Sequence, residues 1–146
     1  MRIVLDTNVW VAGLLWSGPP HTILRLARQR RLTIFTSPAI LSELHEVLTY
    51  PKLQPRLRSL GITAEDAMRH AVGLSVVVEA PAAGAIAPLV TADPDDDPFL
   101  LCAAATGAEA VVSGDGHLLD LGRHGNIPIL TPRSFLDRNF PAESAG

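Results

Sequence analysis

Residues 1–10 read MRIVLDTNVW: an apolar run, Ile3-Val4-Leu5, drives straight into Asp6-Thr7-Asn8 and turns apolar again at Val9. A carboxylate between two hydrophobic segments has two readings. It can cap a helix that begins near Val9. It can instead be a metal ligand standing at the end of a buried strand.

Working outward, five short apolar segments read as strands: Arg2-Leu5, Leu32-Phe35, Ser75-Val78, Ala110-Val112 and Pro128-Leu130. Short apolar runs suit a sheet covered on both faces. Helical patterns lie between them. "PPHTILRLARQRR" gathers Ile23, Leu24, Leu26 and Ala27 on one side. "SPAILSELHEVL" opens with Ser37 as cap and Pro38 at the first helical position. "TAEDAMRHAVGL" opens with Thr63 as cap, "DPFLLCAAATG" with Asp97, and "TPRSFLDRNF" with Thr131. Strands alternating with helices predict an α/β fold, one three-layer domain around a central, mainly parallel sheet. The Ala-, Pro- and Asp-rich stretch between Gly73 and Pro98 reads as a long surface excursion, and residues 141–146 as a disordered tail.

On this map Asp6 follows the first strand and Asp115 closely follows the fourth, in "VVSGDGH". Both fall at the carboxyl edge of the sheet, where α/β proteins bind ligands. Asp97 begins the helix leading into the fourth strand. That position is expected at the opposite edge unless the preceding loop crosses the sheet or the helix lies across its end. Glu43 needs helical geometry. Ile40, Leu41, Leu44, Val47 and Leu48 form one stripe, and Glu43 lies at its margin, one turn before Val47. A partly buried carboxylate is expected there, and it is unfavourable unless paired or bound to a cation. Each acid has an ordinary structural explanation: a cap, a turn, a snorkelling stem. Together they are the raw material of a hard-cation site, because oxygen ligands suit Mg²⁺ or Mn²⁺. Two such ions about 4 Å apart can drive phosphodiester hydrolysis.

The totals constrain the partners. A chain of 146 residues is one domain's worth and, at 47% hydrophobic, can bury a core. No apolar run approaches the ~20 residues of a membrane span, and no signal peptide is visible. The single cysteine, Cys102, excludes an internal disulfide and fits a reducing, cytoplasmic setting. It sits in "FLLCAAA" and reads as a buried thiol. Net charge is -3, which gives no global pull toward nucleic acid. The basic residues are nonetheless clustered: Arg25, Arg28, Arg30 and Arg31 are candidate phosphate contacts or a solvated helix end. The five histidines show no HxH or HxxxH spacing, so no zinc site is read. Trp10 and Trp16 read as core or interface packing.

Four stretches, "IVLDTNVWVAGLL", "SPAILSELHEVL", "DPDDDPFLLCAAATGAEAVVSGDGHLL" and "IPILTPRSFL", together resemble the PIN domain family, with the nearest likeness to the VapC-like ribonucleases, toxins of toxin–antitoxin pairs. The resemblance runs from Met1 to about Phe140, which sets the expected domain at residues 1–140. It implies a Rossmann-like α/β/α sandwich whose acids gather in one pocket, bind Mg²⁺ or Mn²⁺ and cleave RNA. Carried over by motif, Asp6 is the first metal ligand, Glu43 the second acid and Asp115 the last. The third is Asp96 or Asp97. Asp97 stands eighteen residues before Asp115, the family's common spacing; in this branch that position often holds a non-acid, which favours Asp96. Asn8 and Ser113 match polar positions that orient the acids or a bound water. The expected partners are an RNA substrate, a small cognate antitoxin and a second copy of the chain, with no membrane. A housekeeping RNA-processing nuclease and a non-catalytic RNA-binding or scaffold module are the alternatives. A phosphatase of the haloacid-dehalogenase type also begins with a strand ending in Asp, but it wants a second Asp where this chain has Asn8.

Overall fold

The computed structural model describes residues 1–79 and 97–144, the side chain of Asp97 excepted. The expected surface excursion falls almost wholly outside the described residues, and Asp93, Asp95 and Asp96 fall outside them with it.

Strand β1 is Arg2–Leu5, followed by helices α1 (Thr7–Leu15) and α2 (Pro19–Arg28), strand β2 (Thr33–Thr36) and helix α3 (Pro38–Leu48). Helices α4 (Gln54–Leu60) and α5 (Ala64–Gly73) lead to strand β3 (Ser75–Val77). Helix α6 (Asp97–Thr106) precedes strand β4 (Ala110–Val112) and helix α7 (Gly116–Leu121). Strands β5 (Arg123–His124) and β6 (Ile127–Leu130) then precede helices α8 (Pro132–Asn139) and α9 (Pro141–Ser144). The sheet order is β3-β2-β1-β4-β6-β5, parallel throughout except for β5, which runs antiparallel to β6.

The sheet is covered on both faces. Ile3, Val4, Leu5, Val111 and Val112 are all fully buried, although neighbours along a strand point to opposite sides. Each such side chain contributes about 1.5–3 kcal/mol. From β1 the chain winds outward through β2 to β3, then returns to the other side of β1 with β4. The β1/β4 boundary is therefore a topological switch point, where a crevice opens beyond the carboxyl ends.

The helices start where the sequence places caps. Ser37 and Thr131 accept from backbone N–H groups three residues on, and Thr63 and Asp66 form a reciprocal capping box. Cys102 is fully buried, and burial pushes its thiol up to about 11. Residues 141–144, expected in a disordered tail, instead form the short α9, held by Glu143 accepting from Arg25 and Arg31.

Candidate functional site

The site grows from the last hydrogen bond of the central strand pair. The Asp6 N–H donates to the Val112 carbonyl at 3.0 Å, so β1 and β4 end together. Asp6 Oδ1 accepts from the Val9 N–H at 2.9 Å and caps α1. Its Oδ2 accepts from the Ser113 hydroxyl and from the Gly114 N–H at 3.3 Å. The capping reading of Asp6 holds for one oxygen, while the other is held at the strand end. The residue is only 3% exposed. Burial pushes its carboxyl above the ordinary value of 3.8, and the nearby charge of Asp115 adds to this, against the pull of the three donors.

Ser113 ties this acid to the next. Its fully buried hydroxyl donates to Asp6 and accepts from the Asp115 N–H at 2.9 Å, while its own N–H is fixed to the Leu130 carbonyl. Asp115 is half-buried and caps α7, accepting from the His117 N–H at 2.8 Å. His117 itself is exposed.

Glu43 reaches the crevice from α3. It was expected to be partly buried but is exposed, because α3 turns that margin of its stripe toward the open cleft. Its Oε2 accepts from the hydroxyl of Thr7 at 2.5 Å. Asp6, Thr7, Asn8, Glu43 and Asp115 line a cleft of about 150 Å³ together with the apolar Val47, Phe99 and Leu118.

Phe99 also corrects the expected place of Asp97. The far end of α6 lies at the amino edge of the sheet, where the Arg2 guanidinium donates to the Gly107 carbonyl at 3.2 Å. Phe99, in the first turn, lines the cleft at the carboxyl edge. A crossover helix runs antiparallel to its strands, so the helix start, and with it the backbone of Asp97, lies at the site's edge.

The other candidates divide. Asn8 lines the cleft, but among the described residues it makes no side-chain hydrogen bond to these acids. The arginines lie elsewhere. Arg28, Arg30 and Arg31 flank the entry into β2 at the amino edge, where the Thr33 N–H meets the Met1 carbonyl. Arg25 and Arg31 are engaged with Glu143, and Arg28 with His70. Thr7 and Phe99 were missed as site residues. Thr7's place inside "DTN" was the available signal; Phe99 carried none beyond its two-residue distance from Asp97.

A family model described as "PIN domain" matches residues 2–117, a span that holds all the candidate acids. This chain belongs to the PIN domain family. Among solved structures, the PIN domain described above resembles a chain of the VapBC2 complex from Rickettsia felis, determined bound to a DNA fragment from their promoter. That match has a TM-score of 0.59 at 17% identity and covers 88% of this chain and 97% of the other. No curated protein matches this sequence. No helix among the described residues is long and apolar enough to cross a membrane.

PIN domains are generally nucleases that use divalent metals. The chemistry of the described acids suits part of such a site. Asp6 is a buried carboxylate, and among the described residues neither it nor Glu43 nor Asp115 forms an ion pair with Arg, Lys or His. Burying such a charge uncompensated is costly. The donor set is all oxygen, as hard cations require. Among the described residues no group of three His, Cys, Asp or Glu is close enough to hold an ion. A further acid is needed beside these; in the sequence Asp97 is the first residue of α6 and Asp96 directly precedes it.

Proposed function

We propose that this PIN domain is a Mg²⁺- or Mn²⁺-dependent endoribonuclease and the toxin of a toxin–antitoxin pair. The observation that carries the reading is Asp6: a buried carboxylate at the switch point, both oxygens held, sharing one cleft with Glu43 and Asp115.

Asp6 and one of Asp96 and Asp97 hold the principal ion. When bound, divalent ions supply an activated water and positive charge at the leaving oxygen. The rest falls to the chain. Ser113 fixes the Asp6 carboxylate and the backbone of Asp115 in one geometry. Glu43 and Asp115, which line the same cleft, would tune that ion, hold a second one or orient the attacking water. The apolar Val47, Phe99 and Leu118 in the same cleft lower the dielectric around the acids, which strengthens their hold on charge. Hydrolysis leaves a 5′-phosphate and a 3′-hydroxyl.

The toxin assignment draws on the VapBC2 resemblance and on the sequence motifs. A small antitoxin then places a basic side chain among the acids, and a second copy of the chain completes a homodimer. The test is cleavage of a mixed RNA pool by purified protein, with Mg²⁺ or Mn²⁺ against EDTA, beside Asp6→Asn. Cutting is expected only with both metal and Asp6. Full metal-dependent cutting by Asp6→Asn contradicts the assignment. No cutting of any RNA together with no metal binding returns the domain to a non-catalytic RNA-binding or scaffold role. Co-expression with the product of a small adjacent upstream gene is expected to abolish cutting.

A further inference from the structure

Glu43 is the acid with the least reason to stay in the cleft. It stands on an exposed stretch of α3, and its three rotatable bonds leave it free to turn toward solvent. Thr7 opposes this. It is 6% exposed and occupies the first position of α1, directly after Asp6. A buried hydroxyl requires a partner, and this one donates to Glu43 Oε2 at 2.5 Å across the α1–α3 boundary. Threonine is stiff about χ1, so the donor's position is tied to the backbone that carries Asp6.

We propose that Thr7 is a positioning residue for the metal site: its hydroxyl fixes the Glu43 carboxylate, on a separate helix, in register with Asp6. This rests on the metal-dependent reading above. It predicts that the hydroxyl, and not the volume of Thr7, sets the strength of ion binding. Partners that orient metal-facing ligands are typically worth 10–100-fold in affinity.

The experiment is a calorimetric Mn²⁺ titration of five proteins: wild type, Thr7→Val, Thr7→Ser, Glu43→Ala and the double variant Thr7→Val/Glu43→Ala. A thermal melt of each verifies folding. Thr7→Val keeps the shape and removes the donor; about a 10-fold loss of affinity is expected. Thr7→Ser keeps the donor and is expected within about 2-fold of wild type. In a Glu43→Ala background Thr7→Val is expected to add no further loss, because it acts through Glu43. A folded Thr7→Val protein with wild-type affinity overturns the proposal. So does an equal loss in Thr7→Ser.

A second readout needs no metal. Three-bond NMR couplings report the Glu43 rotamers in the metal-free protein. One dominant rotamer is expected in wild type and Thr7→Ser, and rotamer averaging in Thr7→Val. Averaging already in wild type overturns the proposal, even if Thr7→Val fails to fold. If wild type binds no Mn²⁺, the nuclease reading falls, while the couplings still decide whether Thr7 holds Glu43.

Discussion

Replacing Asp6 by Asn separates the two roles that the residue combines. Asn caps helices about as well as Asp, so the bond from the Val9 N–H survives. The buried charge disappears. Asp6 binds its proton more tightly folded than unfolded, because burial raises its carboxyl above 3.8. Between that value and the raised midpoint the folded state holds the extra proton, so wild-type stability falls as pH rises through this window and stays reduced above it. Asp6→Asn lacks that loss. The Asn amide nitrogen cannot accept the two bonds that Oδ2 takes from the Ser113 hydroxyl and the Gly114 N–H, which offsets the relief of the buried charge, so in EDTA near neutral pH the variant is expected within about 1–2 kcal/mol of wild type. Divalent ion separates the two proteins. An ion that binds only the folded state stabilises it by about 2.7 kcal/mol at 100 times its dissociation constant. For a domain of this size that raises the wild-type melting temperature by roughly 5–11 °C. The variant is expected to gain almost nothing. Scanning calorimetry in EDTA and in Mn²⁺ checks both halves. An equal Mn²⁺ gain in both proteins refutes the reasoning and leaves Asp6 a helix cap.

Three further substitutions probe the scaffold. Ser113→Ala strips a donor from the Asp6 carboxylate and leaves the Asp115 N–H unpartnered; a loss of about 2–4 kcal/mol is expected in urea unfolding at pH 7. Gly13→Ala places a methyl 2.8 Å from Leu24 Cδ1 and 2.9 Å from the Pro20 carbonyl, within the α1–α2 contact. A loss of about 1–3 kcal/mol is expected by the same method, with metal affinity unchanged. Arg28→Ala combined with Arg30→Ala removes charge at the edge of the sheet remote from the cleft. RNA cleavage is expected to change by less than about 3-fold at moderate salt, since remote exposed charges are largely screened; a large drop would make that edge an RNA track.

The central strands β1 and β4 were legible because their apolar runs are buried on both faces, whereas Val76 and Val77 of the edge strand β3 are exposed. All five expected strands are found with each end within one residue, β2 being displaced as a whole by one. Elements that begin inside turn-like sequence were not read. "YPKLQP" looks like a turn, yet Pro51 opens a short 3₁₀ turn and Pro55 sits in the first turn of α4, where prolines start helices. "SGDGHLL" looks like a loop, yet Asp115 caps α7. Gly125-Asn126 is a two-residue hairpin signal that joins β5 to β6 and was passed over.

The site followed the same division. Asp6 and Asp115 were placed by strand ends, and the parallel sheet brings those ends together. What joins them was not visible in sequence: Ser113 meets Asp6 across 107 positions, and Thr7 meets Glu43 across 36. Side-chain bonds of that span depend on register and helix rotation, which local patterns do not encode. The basic cluster misled for the complementary reason. Spacing along α2 shows that the arginines group, but the direction of the chain into β2 decides which edge they occupy.

The central claim is that a divalent ion sits among the acids beyond β1 and β4. The most direct measurement is a Mn²⁺ titration of the isotopically labelled protein by NMR, reading which backbone amide signals broaden first. The account predicts early loss at Thr7, Asn8, Glu43, Phe99, Gly114 and Asp115, with Arg28 and Arg31 unaffected at the same ion concentration. Broadening centred elsewhere, or none at millimolar Mn²⁺, contradicts it.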